Sequence, residues 1–103
     1  MEHLFFKIKG SDFNERKILS VLHGACDSAG AHIRNTSTHQ FSPQGFTAVV
    51  VLSESHAALH TWPENKLAMV DYFSCSKEPN FAAFISYWKE SGFEIVDPRI
   101  IVR

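Results

Sequence analysis

Residues 39–75 read HQFSPQGFTAVVVLSESHAALHTWPENKLAMVDYFSC, and their interpretation decides what the rest of the chain must be. Ser42, Pro43, Gln44 and Gly45 form a turn signal, since proline presets φ and glycine tolerates conformations other residues resist. Phe46 to Ser53 follows as a near-continuous apolar run rich in valine, the pattern of a central strand buried on both faces. Lys66 to Ser74 alternates more loosely and fits a neighbouring strand. Between the two runs, Ser53-Glu54-Ser55-His56 and His60-Thr61-Trp62-Pro63-Glu64 crowd hydroxyls, imidazoles and carboxylates into a short space, and Cys75 closes the second run.

The flanks supply scaffold. His3 to Lys9 is a short apolar-aromatic strand ended by Gly10. Ile18, Leu19, Leu22, Ala25, Cys26 and Ala29 recur at helical spacing, predicting a helix over 14–29 that Gly30 stops and Ser11, Asp12 or Asn14 caps. His32 to Phe41 reads as an edge strand. Phe81, Phe84, Ile85 and Trp88 place a second amphipathic helix over 79–91, ended by Gly92, and Phe93 to Val102 is a last strand interrupted at Pro98. Several strands with only two helices predict an α+β fold, a two-layer α/β sandwich whose mainly antiparallel sheet carries two helices on one face.

At 103 residues the chain is one domain, residues 1–103, long enough for a single core. A formal net charge of −1, with no basic block, gives no reason to expect nucleic acid or an anionic membrane as partner. No apolar run approaches the roughly 20 residues of a membrane helix. Two cysteines do not build a disulfide framework, so a cytoplasmic setting is expected.

The residues themselves leave three chemistries open. Ser55 with a histidine base suggests acyl transfer, although no G-x-S-x-G elbow surrounds it. Cys75 with His60 suggests a thiol nucleophile. His56 and His60, four apart on a helix, with His39 nearby, would suit zinc, although neither H-E-x-x-H nor a cysteine pair is present and no metal is expected. If the segment is helical, His60 lies about a turn and a half beyond Ser55, where both it and Cys75 converge on the serine.

Phe41-Ser-Pro-Gln-Gly-Phe-Thr47, then Glu54-Ser55-His56, then His60-Thr-Trp-Pro-Glu64, then Val70-Asp-Tyr-Phe-Ser-Cys75, together resemble the bacterial and archaeal S-adenosylmethionine decarboxylase proenzymes. The resemblance is dense over 41–75 and extends weakly to His3-Leu4. It implies a self-processing, pyruvoyl-dependent carboxy-lyase of polyamine (spermidine) biosynthesis. The Glu54–Ser55 bond would be cut, leaving residues 1–54 as a β chain and 55–103 as an α chain whose Ser55 has become a covalent pyruvoyl group. The substrate amine would then form a Schiff base with that ketone, which replaces pyridoxal phosphate as electron sink. Carried over residue by residue, His60 promotes processing and Thr47 steadies its intermediate. Cys75 returns the proton during decarboxylation. Phe41 stacks on adenine and Glu64 accepts hydrogen bonds from the ribose. A homodimer of processed protomers, with the site near the subunit boundary, is implied as well.

Two departures bear on the substrate. Lys7 stands four positions after His3, where the family usually carries an acid, and Asn65-Lys66-Leu67-Ala68-Met69 replaces the family's usual continuation after Glu64. Neither touches the processing residues. They keep open L-ornithine or L-arginine as substrate on the same scaffold, and an inactive regulatory paralogue.

Overall fold

The computed structural model describes residues 1–53 and 55–103; Glu54, expected to supply the carbonyl of the scissile bond, lies outside the described residues. The valine run forms β3 (Phe46–Leu52), but with one buried face rather than two. Phe46, Ala48, Val50 and Leu52 point into the core, while Val49 and Val51 remain 37% and 45% exposed. Successive strand side chains face opposite sides, so a layer of helices on one side leaves alternate valines uncovered.

The larger correction concerns residues 56–62. They form a strand, β4 (His56–Trp62), where the sequence reading had a reactive loop or a short helix. Ala57, Leu59 and Thr61 face the core, while His56, His60 and Trp62 face outward. The histidines four apart, which matched helical spacing, match the two-residue period equally well. In a strand they stand about 13 Å apart, too far to share one metal ion.

The remaining elements follow the expected order. They are β1 (Glu2–Lys9), α1 (Glu15–Ser28), β2 (Ile33–Gln40), then after β4 a single 3-10 turn over Pro63–Asn65, β5 (Leu67–Ser74), α2 (Phe81–Glu90) and β6 (Glu94–Val102). Among the described residues the strands make one antiparallel sheet in the order β2-β3-β4-β5-β1-β6. β2 and β6 are the edges, and Pro98 is tolerated because β6 has no outer neighbour needing its missing N–H. The strand runs through Pro98, with the break in register at Asp97, whose φ is +53°.

Both helices begin at an asparagine. The Lys17 N–H donates to Asn14 Oδ1 at 3.2 Å, and the Ala83 N–H to Asn80 Oδ1 at 3.0 Å, each satisfying a donor the first turn leaves free. Ile18, Leu22 and Cys26 of α1 and Phe84 and Trp88 of α2 are fully buried against Leu4, Ile8, Val50 and Leu59 of the sheet. The helices approach each other at Gly24, where any added Cβ would meet the Tyr87 ring. The opposite face of the sheet has no layer over it among the described residues. His3, Phe5, Thr47, Val49, Val51, His56, His60, Trp62, Met69, Asp71 and Phe73 all project from it.

Candidate active site

β3 and β4 pair as an antiparallel hairpin. Val51 pairs with His56, and the Leu52 N–H donates to the Ser55 carbonyl at 3.0 Å. Two anchors hold its root: the Ser53 N–H donates to His32 O at 3.0 Å, and Arg34 Nε to Ser53 Oγ at 2.9 Å. Ser55 is thus held by a backbone hydrogen bond at the start of β4. It lines a cavity of about 270 Å³ with Ser53, Tyr72, Ser74 and Ser76. Burial raises the Tyr72 phenol above its ordinary range, while a hydrogen bond with Ser74 opposes the shift.

Cys75 belongs to the same end of the sheet. β4 and β5 pair His56 with Phe73, which brings the Ser74–Ser76 segment alongside Ser55. Ser74 is buried, whereas Cys75 is exposed, so the thiol is available rather than a core hydrophobe.

The other expected residues gather at the far end. Thr47 pairs directly with His60, and Thr47 Oγ1 is hydrogen-bonded to His60 Nδ1 at 3.0 Å. Both line a cavity of about 340 Å³ with Phe41, Gly45, Trp62 and Glu64. Phe41 is held beside it by its N–H donating to Gly45 O at 2.8 Å, and its ring meets His39 edge-on at 4.6 Å between centroids. Gly45 has φ +112°, a conformation that favours glycine. Phe41 is 49% exposed and Trp62 37%, so neither is core.

The two groups do not meet within one chain. Five residues of extended strand separate Ser55 from His60, about 16 Å at ~3.3 Å per residue, so His60 cannot reach its own Ser55. Convergence of histidine and thiol on the serine depended on a helix that is not formed. Ser55 and Cys75 mark one end of β4; Phe41, Thr47, His60 and Glu64 mark the other.

His60 also borders a third cavity, of about 410 Å³, lined by Phe5, Lys7, Met69, Asp71 and Arg99 among others. Lys7 therefore lies beside the candidate site, in the row Thr47–His60–Met69–Lys7 across the sheet. Sequence reasoning missed a further group on this face, His3, His56 and Asp71. Its only sequence signal was polar residues at the outward positions of otherwise apolar strands. Among the described residues no cluster of three or more histidines, cysteines or carboxylates is arranged to hold a metal. A serine-derived pyruvoyl group fits the Ser55 position, since the hairpin fixes the serine backbone and the adjoining cavity leaves space at its side chain.

Comparison with known proteins bears on the whole arrangement. The family model described as S-adenosylmethionine decarboxylase matches residues 8–97. The chain belongs to the S-adenosylmethionine decarboxylase family. The S-adenosylmethionine decarboxylase proenzyme of Pelotomaculum thermopropionicum is 44% identical over 82 residues, 76% of this chain and 65% of that protein. Its Methanococcus aeolicus counterpart is 40% identical over 88 residues, covering 82% of this chain and 75% of the relative. The chain spans about two thirds of the length of the first of these relatives (65% and 66%). The crystal structure of adenosylmethionine decarboxylase from Aquifex aeolicus VF5 superposes with a TM-score of 0.79 at 28% identity, covering 99% of this chain and 92% of that one. The family match takes in every residue from Phe41 to Cys75 but begins after His3 and Lys7.

Proposed function

We propose that the protein is a pyruvoyl-dependent S-adenosylmethionine decarboxylase of polyamine biosynthesis, self-cut at Glu54–Ser55 and acting as a cytoplasmic homodimer with two shared sites. The observation that carries the reading is the division of the site residues between the two ends of β4. One end of β4 carries Ser55 and Cys75, and the open face presents Thr47, His60, Phe41 and Glu64 at the opposite end. A second copy laid over that face by a two-fold axis brings its His60 end over the first copy's Ser55 end, and the reverse. The uncovered valines and Met69 supply apolar surface for such a contact.

Self-processing then divides into two steps. Ser55 Oγ attacks the Glu54 carbonyl carbon, and the peptide nitrogen leaves as an amine, so that the amide becomes an ester. His60 of the partner subunit, its Nδ1 tied to Thr47, presents Nε2 as base for the Ser55 α-proton. Elimination expels the carboxylate of Glu54. Water then adds at the α-carbon and ammonia departs, which leaves the pyruvoyl group.

When formed, the pyruvoyl group supplies the electron sink for loss of carbon dioxide. The chain's own residues bind, orient and protonate. Phe41 and Trp62 offer aromatic faces for adenine and for the sulfonium charge, and Glu64 is placed for ribose hydroxyls. Cys75, exposed beside Ser55, delivers the proton to the substrate α-carbon. This aromatic lining favours the nucleoside over ornithine or arginine, which have no ring to stack.

Complementation tests the reading. Ser55→Ala and His60→Ala chains should each stay uncut alone. Refolded together, they should yield cleaved His60→Ala chain by intact mass, because one shared site then has both groups. Failure of the mixture to cut, with both singles dead, would break the shared-site reading. Carbon dioxide release should occur with S-adenosylmethionine and not with L-ornithine or L-arginine; the reverse would transfer the assignment to a basic amino acid.

A further inference from the structure

On the open face, His3 Nε2 and His56 Nε2 approach the same oxygen, Asp71 Oδ1, at 3.7 and 3.9 Å. Neither His3 Nε2 nor Asp71 Oδ1 has a hydrogen-bond partner among the described residues, although both atoms are buried. Phe73 lies opposite both histidines in the sheet, between β1 and β4. Its ring meets His3 edge-on at 5.8 Å and His56 at 5.6 Å between centroids. One carboxylate and one ring, both from β5, thus grip two imidazoles from the strands on either side. A buried carboxylate oxygen left without a hydrogen bond is costly, and the two imidazole nitrogens are the polar atoms that stand beside it.

His56 follows Ser55 directly, and its amide would become the amide of the new N-terminal group. We propose that His3, Asp71 and Phe73 clamp His56 and so set the orientation of Ser55 for self-cleavage, with Asp71 as the central positioning residue. The inference rests on the self-processing reading above. Ser55 is anchored from the β3 side by Leu52, through the bond to its carbonyl. The clamp anchors the following residue from the β5 side, so that the serine hydroxyl keeps one approach to the preceding carbonyl. Small misalignments of reacting groups slow a reaction by large factors, on the order of 100-fold for about 1 Å.

The test is the cleavage time course of purified chain by intact mass, with thermal midpoint and sedimentation recorded for each variant. Asp71→Asn keeps the shape and removes the charge; it should slow cleavage on the order of 10- to 100-fold while the protein stays folded and assembled. Asp71→Glu, which restores the carboxylate, should recover part of the loss. His56→Gln should slow cleavage similarly, and the Asp71→Asn/His56→Gln pair should be no slower than the worse single change. Cleavage at the wild-type rate in folded Asp71→Asn, or additive losses in the pair, would overturn the clamp. If Asp71→Asn fails to fold, His3→Gln and His56→Gln decide by the same criterion. Wild-type chain that never cuts would instead sink the self-processing reading itself.

Discussion

Cys26 is wholly buried on the core-facing side of α1, and desolvation, with Asp27 beside it, pushes its thiol up to about 12. Cys75, exposed near Ser55, has the access that Cys26 lacks. An aromatic disulfide reagent at pH 8 should therefore modify one thiol of the two in native protein, and the second only on unfolding. Two rapid equivalents in native protein would contradict the burial. The linkage has a definite sign: between pH 9 and 12 the unfolded chain loses the Cys26 proton before the folded one does, so stability falls with rising pH across that window. Cys26→Ala should flatten that decline in denaturant titrations. At this scale the motif placed Ser55 and Cys75 near each other, and the structure brings them to the same end of the sheet. The sequence reading placed His60 beside the Ser55 of its own chain, because spacing along a chain carries no distance until the local conformation is known.

The element that mattered most was β4. HAALHTW satisfies helical and strand periods alike, and its alanines and leucine by themselves favour a helix. Pairing on both sides, with β3 and β5, decided for the strand. The valine run misled in the other direction. Its composition matched a doubly buried strand, yet whether a second layer covers it depends on what lies beyond the chain's own helices. The helices were legible because their stop and start signals are local, Gly30 and Gly92 at positive φ and asparagine at each cap. Asn80→Ala should cost about 1 kcal/mol and lower the thermal midpoint, while cleavage keeps its rate, since α2 lies on the face away from His56 and His60. A loss of cleavage in that variant, with folding retained, would tie α2 to the site.

For the molecule as a whole, the decisive feature is a sheet with one covered face. Val49, Val51 and Met69 stand on the open side between the two halves of the site. Val49→Glu places a charge where a second copy is proposed to sit, and an unpaired charge in such a contact is strongly unfavourable. It should shift sedimentation towards the single chain and stop cleavage while circular dichroism stays native; a dimer that still cuts would locate the contact elsewhere.

The strand order itself has a mechanical outcome. The proposed break between residues 54 and 55 would divide the sheet so that β2, β3 and β1 come from one fragment and β4, β5 and β6 from the other. In space the two alternate: β1 is threaded between β5 and β6, and β4 and β5 lie between β3 and β1. The helices are shared out too, α1 with the first piece and α2 with the second. Neither piece holds a complete hydrophobic layer, so the fragments cannot drift apart without the whole domain melting. The proposed cut would leave no loose part, and the two polypeptides should survive, denature and be degraded as a single body.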